Sequence, residues 1–114
     1  MKSPITTHIL DTAQGQPAQN VPVLLFRQEA GDQWKELGAG RTNADGRVVD
    51  LLPEGSLEPG VYRIHFDTGA YFKAQAQTGF YPYVEVVFEI ESTAQHYHVP
   101  LLLNPFGYST YRGS

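Results

Sequence analysis

The stretch Val84-Glu85-Val86-Val87-Phe88-Glu89-Ile90-Glu91 indicates the fold class, because apolar residues at every second position alternate with a mostly acidic set. Successive side chains of a β-strand point to opposite faces, so the even-numbered residues from Val84 to Ile90 share one face. A strand that packs on a core on one side only is typical of antiparallel sheets. The stretch therefore predicts a half-buried strand in an all-β protein.

Short strands are expected on both sides of this stretch, because β-branched and aromatic runs alternate with Gly, Pro, Asn and Asp clusters. We predict about seven or eight strands in an antiparallel β-sandwich. The predicted strands cover residues 5–10, 21–28, 34–42, 48–51, 61–67, 84–91, 96–103 and 108–112. One helix is predicted over residues 68–79, with Thr68 as its cap and Gly79 as its stop.

The length of 114 residues predicts that residues 1–114 form a single domain. A net charge of -4, without clustered Lys and Arg, argues against nucleic acid as a partner, and no apolar run is long enough for a membrane span. A domain this small buries a modest share of its surface, so we expect self-association. With no cysteine and no secretory signal at the first residues, the expected location is cytoplasmic.

Several common catalytic motifs do not occur in the sequence. There is no glycine-rich phosphate loop, no Gly-x-Ser-x-Gly elbow and no carboxylate pair in a recognisable glycosidase setting. Phosphoryl transfer and serine hydrolysis by those routes are therefore disfavoured.

Histidines are the first candidates for proton transfer, since imidazole titrates near neutral pH. If Ile9 faces the core, His8 points outward or into an interface, where an exposed or hydrogen-bonded histidine is the ordinary interpretation. His96 and His98 share one strand face, a spacing that metal sites also use. His8 could supply a third ligand, but no further ligand motif is present, so no metal is predicted. His65 is interpreted as structural.

Arg47 directly follows an Asp-Gly turn, where an arginine is usually a solvated cation. Its planar guanidinium also suits a substrate with paired carbonyl and ring nitrogen groups. The last residues, 109–114, would ordinarily fray, yet they are dense in hydrogen-bonding groups. Composition alone leaves both interpretations open for each feature.

Several blocks occur in one order along nearly the whole chain. They are Thr7-His8-Ile9-Leu10-Asp11-Thr12, Gly15 with Pro17-Ala18, Thr42-Asn43-Ala44-Asp45-Gly46-Arg47, Phe80-Tyr81-Pro82-Tyr83-Val84-Glu85, His98-Val99-Pro100-Leu101-Leu102-Leu103 and Tyr111-Arg112-Gly113-Ser114. In these blocks the chain resembles the 5-hydroxyisourate hydrolases, also called transthyretin-related proteins. The terminal Tyr-Arg-Gly-Ser block is the most specific of them.

The resemblance implies a transthyretin-like sandwich of two four-stranded sheets with one short helix. It implies a homotetramer, a dimer of dimers, with active sites at the dimer-dimer interface. The implied substrate is 5-hydroxyisourate, which is hydrolysed at a ring amide in urate degradation. Water is the only co-reactant of that reaction, so no cofactor is expected.

The resemblance also implies the roles of individual residues. The implied catalytic residues are His8, Arg47, His98 and Ser114. The implied substrate-binding residues are His8, Arg47, Tyr111, Arg112 and Gly113. We hypothesise that neutral His8 or His98 is the general base and that Arg47 offsets the charge developing on the substrate. His96 lies outside the family motif and keeps its structural interpretation.

Two other functions compete with hydrolysis. Transthyretin itself shares the fold and carries thyroid hormones in the corresponding channel, so the fold alone leaves function open. Carriers of that type lack the set of His8, Arg47, His98 and the Tyr-Arg-Gly-Ser end. The second alternative is a structural sandwich whose histidine pair binds metal adventitiously.

Overall fold

In a computed structural model, which describes residues 3–114, the chain forms two β-sheets and one short helix. The elements in chain order are β1 (Ile5–Asp11), β2 (Gln16–Pro17), β3 (Pro22–Gln28), β4 (Trp34–Arg41), β5 (Arg47–Val48), β6 (Gly60–Phe66), α1 (Thr68–Ala74), β7 (Val84–Ile90), β8 (Tyr97–Asn104) and β9 (Gly107–Thr110). The described helix is too short and polar to cross a membrane.

Each sheet is four strands wide. One has the order β4-β3-β6-β7 and is antiparallel throughout. In the other, β8 lies between β1 and β9, and the outer edge of β1 pairs with both β5 and β2. Because those two strands have two residues each, they occupy a single position in the sheet. The predicted all-β sandwich is confirmed.

Strands β1 and β8 pair in parallel, in a protein whose other strand pairs are antiparallel. The register places Thr6 opposite His98 and His8 opposite Pro100. Parallel neighbours need a long connection, and here it comprises almost the whole sandwich. The pairing joins the beginning of the chain to a strand near its end.

The core lies between the two sheets and is built from every second residue of each strand. In β1 the residues Ile5, Thr7 and Ile9 are fully buried, while His8 between them is half-buried on the outer face. In β6 the inward residues include the fully buried Ile64. A buried isoleucine contributes roughly 1.5–3 kcal/mol. A one-residue slip of β1 would lose this burial and turn His8 into the core, so packing fixes its orientation.

The helix is shorter than the predicted 68–79. It begins at Thr68 rather than being capped by it, because the carboxylate of Asp67 accepts a hydrogen bond from the backbone N–H of Ala70 at 3.1 Å. It ends at Ala74, and Ala76 has a left-handed φ of 56°. Gly79 is not the stop: a Cβ there would approach the Phe72 ring to 2.6 Å, so this glycine allows close packing.

Residues 3–114 form nine strands rather than the predicted seven or eight, because Gln16–Pro17 forms an additional two-residue strand. Each predicted strand also differs from the observed one by at least one residue, and two of these differences have a clear reason. The strand predicted over residues 48–51 is Arg47–Val48, because the chain then bends and buries Leu51 and Leu52 in the core. The strand predicted to reach Thr42 ends at Arg41. The Thr42 hydroxyl instead donates to the carbonyl oxygen of Ala18 at 2.7 Å.

Candidate active site

Arg47 is held directly beside His8 by the pairing of β5 with β1. The preceding turn is ordered by Asn43, whose side-chain oxygen accepts the backbone N–H of Arg47 at 3.0 Å. Gly46 has a φ of +75°, and its carbonyl oxygen accepts the backbone N–H of Ile9 at 2.7 Å. A Cβ on Gly46 would lie 2.4 Å from the Ile9 carbonyl oxygen, so a glycine is needed for this approach.

His98 reaches the same face of the sheet through the parallel pairing with β1. Its partner Thr6 is two residues from His8, so both side chains lie on the outer face. The Nδ1 atom of His98 is 2.8 Å from the Thr6 hydroxyl oxygen. Strands β1, β5 and β8 thus bring His8, Arg47 and His98 together. Because all three are predicted catalytic residues, we call them the catalytic cluster.

Both imidazoles of the catalytic cluster favour the neutral form. Burial, and then the positive charge of Arg47, lower the pKa of His8, although Asp45 opposes them. Burial and Arg47 likewise lower the pKa of His98, with smaller effects from His8 and His96. A neutral imidazole can accept a proton, so these histidines can act as bases at neutral pH.

The last residues of the chain lie beside β8 at the position of His98. The backbone N–H of Gly113 donates to the carbonyl oxygen of His98 at 2.9 Å. A Cβ at Gly113 would lie 2.6 Å from the Cδ2 atom of His98, so only glycine fits without displacing the ring. Tyr111 is 58% exposed, and Ser114 is also exposed. Gly113 is therefore the predicted tail residue that contacts the catalytic cluster, while Tyr111 and Ser114 are exposed in the single chain.

Arg112 is the predicted site residue whose side chain points elsewhere. Its guanidinium stacks over the Tyr97 ring at 4.5 Å and donates a hydrogen bond to the side-chain oxygen of Gln95 at 2.7 Å. Tyr97 and His98 are adjacent in a strand and face opposite sides of the sheet. In the single chain, the Arg112 guanidinium is therefore outside the catalytic cluster.

Two residues of this site were not predicted, namely Thr6 and His96. The Nε2 atom of His96 lies 2.9 Å from the same Thr6 hydroxyl that contacts His98. The spacing of the histidine pair placed both rings on one face, but gave no indication of the threonine between them. The structural interpretation of His65 fits its position on the other sheet, where Nδ1 is 2.9 Å from Glu85.

The predicted absence of metal concerns the same histidines. Within residues 3–114, the structure assembles no group of three or more His, Asp or Glu side chains suited to hold an ion. Nε2 of His96 and Nδ1 of His98 each lie within hydrogen-bond distance of the Thr6 hydroxyl. This arrangement suits hydrogen bonding and proton transfer.

Comparison with known proteins gives a consistent result. A model of the HIUase/Transthyretin family matches residues 5–113. The chain is 54% identical to 5-hydroxyisourate hydrolase of Mus musculus, over 98% of this chain and 96% of the relative. It is 47% identical to that of Salmonella dublin, over 96% and 80%. Sea bream transthyretin, solved in complex with thyroxine, superposes with a TM-score of 0.92 at 37% identity, covering 97% and 95%. The chain belongs to the HIUase/transthyretin family.

Proposed function

We propose that this protein hydrolyses 5-hydroxyisourate to 2-oxo-4-hydroxy-4-carboxy-5-ureidoimidazoline in urate degradation. The observation that carries the proposal is the convergence of His8, Arg47 and His98 on one sheet face. Relatives at 47–54% identity are named 5-hydroxyisourate hydrolase, which supports the substrate. The single-domain and cytoplasmic assignments stay predictions.

The proposed chemistry is attack by water on a ring amide. His8 or His98, neutral near pH 7, accepts a proton from water as the oxygen bonds to the amide carbon. Negative charge then develops on the carbonyl oxygen, and Arg47 stabilises it. The carbon–nitrogen bond breaks, and the proton held by imidazole passes to the departing nitrogen. Atoms and charge balance with water as the only co-reactant.

The side chain of Arg47 is suited to its proposed role because it is exposed and not engaged in a salt bridge within residues 3–114. The backbone of Arg47 is fixed by the turn. The guanidinium is therefore available to a substrate with adjacent carbonyl and N–H groups. We further propose that Tyr111, Arg112 and Gly113 bind the substrate, and that Ser114 anchors a histidine or the attacking water.

We propose that the protein is a homotetramer whose active sites lie between dimers. Its catalytic cluster lies on the outer face of a sheet, where the single chain leaves His8 and His98 half-buried and Arg47 exposed. Covering that face with a second dimer would exclude water and strengthen the electrostatic contribution of Arg47. The sea bream transthyretin fold supports the same architecture. Contact across the interface would also bring side chains of other subunits near the substrate.

Mixing the purified protein with freshly generated 5-hydroxyisourate tests the proposed activity. We expect the substrate absorbance to decay at a rate proportional to protein concentration and far above the spontaneous rate. The competing function, a thyroid hormone carrier, is tested by titrating the same preparation with thyroxine. Decay at the spontaneous rate together with saturable thyroxine binding would overturn hydrolysis in favour of transport.

The pH dependence of kcat/KM follows from the ionisation of the two histidines in the free enzyme. Since burial and Arg47 lower both pKa values below the ordinary 6.5, each ring is more than half neutral at pH 6.5. We therefore expect kcat/KM to keep more than half of its neutral-pH value at pH 6.5 and to fall to half only at lower pH, as the base becomes protonated. Measuring kcat/KM at constant ionic strength tests this. Half-loss of kcat/KM above pH 6.5 would contradict a base with a lowered pKa.

A further inference from the structure

The Thr6 hydroxyl lies between two imidazoles on the outer face of the sheet. Its oxygen is 2.8 Å from Nδ1 of His98 and 2.9 Å from Nε2 of His96. Both distances are those of good hydrogen bonds. The pairing of β1 with β8 sets this geometry, because Thr6 and His98 are opposite each other in the register. A single threonine therefore links two ring nitrogens.

A hydroxyl carries one proton, so it can donate to only one of these nitrogens at a time. If Thr6 donates to His98, then Nδ1 accepts that hydrogen bond and the ring proton sits on Nε2. A neutral His98 ring then has no free nitrogen that can act as a base. If His98 donates from Nδ1 to Thr6, then Nε2 is unprotonated and can accept a proton from water. The Thr6 proton is then free to point to Nε2 of His96. Only the second arrangement makes His98 a base.

The surroundings of His98 act on its charge and its position. Burial lowers the pKa of His98 and outweighs a hydrogen bond to the backbone of Thr6, which raises it. Gly113 packs against the Cδ2 side of the ring and restricts its rotation. The charged and titratable groups acting on His98 are Arg47, His8 and His96, and all three disfavour its fully protonated form.

We propose that Thr6 and His96 are positioning residues that hold His98 with its proton on Nδ1 and its Nε2 free to act as the base. The order of hydrogen bonds is His98 to Thr6 to His96. Its catalytic meaning rests on the proposed hydrolysis, whereas the ring proton position is a property of the free protein. The tautomer of the base is thus set by two residues outside the family blocks, namely His96 and Thr6, which directly precedes the first block.

The Thr6→Val variant removes the hydroxyl with nearly the same shape and keeps a β-branched residue in the strand. We expect kcat to fall about ten- to a hundredfold with little change in KM, the range seen when a group that orients a functional histidine is lost. Thr6→Ser keeps the hydroxyl and should restore most of kcat. Thr12→Val is the matched control, since that hydroxyl bonds the Leu103 carbonyl oxygen on the same sheet outside the site.

The ring proton of His98 is measured directly by nitrogen-15 chemical shifts of labelled protein without substrate. We expect the Nδ1–H form in the wild type and in Thr6→Ser, and a shift toward Nε2–H in Thr6→Val. A loss of kcat in Thr6→Val without a change of tautomer would overturn the proposal, as would unchanged kcat. If the wild type fails to hydrolyse 5-hydroxyisourate, the proposed function fails, and these spectra still decide what Thr6 does.

Discussion

Replacing Arg47 with alanine is expected to lower kcat about a hundredfold or more, which corresponds to roughly 2.7 kcal/mol of transition-state stabilisation. The reason is that the proposed reaction builds negative charge beside the one cation of the catalytic cluster. The side chain is exposed and forms no salt bridge within residues 3–114, so stability should change by no more than about 0.5 kcal/mol. Steady-state kinetics and thermal unfolding measure the two effects.

Arg41→Ala is the matched control for this substitution. Arg41 is an exposed arginine at the end of a strand in the other sheet, where it donates a hydrogen bond to the Asn20 carbonyl oxygen at 3.3 Å. Its loss should leave kcat unchanged. Removing Arg47 should also raise the pKa of His8 and His98, since its charge lowers both. Near-normal turnover in Arg47→Ala would contradict its proposed role.

Deleting residues 111–114 is expected to abolish measurable hydrolysis while leaving the sandwich folded. The deletion removes Gly113, which holds the chain end against His98, and takes away Tyr111 and Ser114. The core remains complete, since its buried apolar residues lie between Ile5 and Leu103. An absorbance assay on the truncated protein measures the first effect, and circular dichroism measures the second.

Size-exclusion chromatography of the truncated protein separates two causes of inactivity. If the elution volume equals that of the full chain, the loss belongs to the site itself. If the assembly dissociates, the tail also contributes to the interface, and both results agree with a site completed by the chain end. Full activity of the truncated, folded protein would remove Tyr111, Arg112, Gly113 and Ser114 from the proposed site.

The parts of the fold that depend on local pattern were predictable. Alternation in residues 84–91 and in the first strand identified strands and the faces they bury, because the core requires a period of two. The helix end was not predictable, since it depends on a left-handed residue at Ala76 and on Gly79 packing against Phe72. The parallel pairing of the first strand was also missed, because pairing between distant segments leaves no local pattern.

The candidate site, like the fold, was only partly predictable from the sequence. Periodicity put His8 on an outer face, but family blocks, rather than pattern, singled out His8, Arg47 and His98. Thr6 was overlooked and His96 was interpreted as structural, because their contact joins residues 90 positions apart and exists only in the correct register. Arg112 was assigned to the substrate by its block, whereas the single chain stacks it on Tyr97. Its role remains a prediction.

The parallel partnership of β1 and β8 has a consequence for biosynthesis. His8 leaves the ribosome early, whereas the strand that carries His98 is made only after most of the other strands. The proposed proton-transfer residues therefore cannot assemble on a nascent chain that stops before β8. Under the proposed mechanism, such a product would lack hydrolase activity.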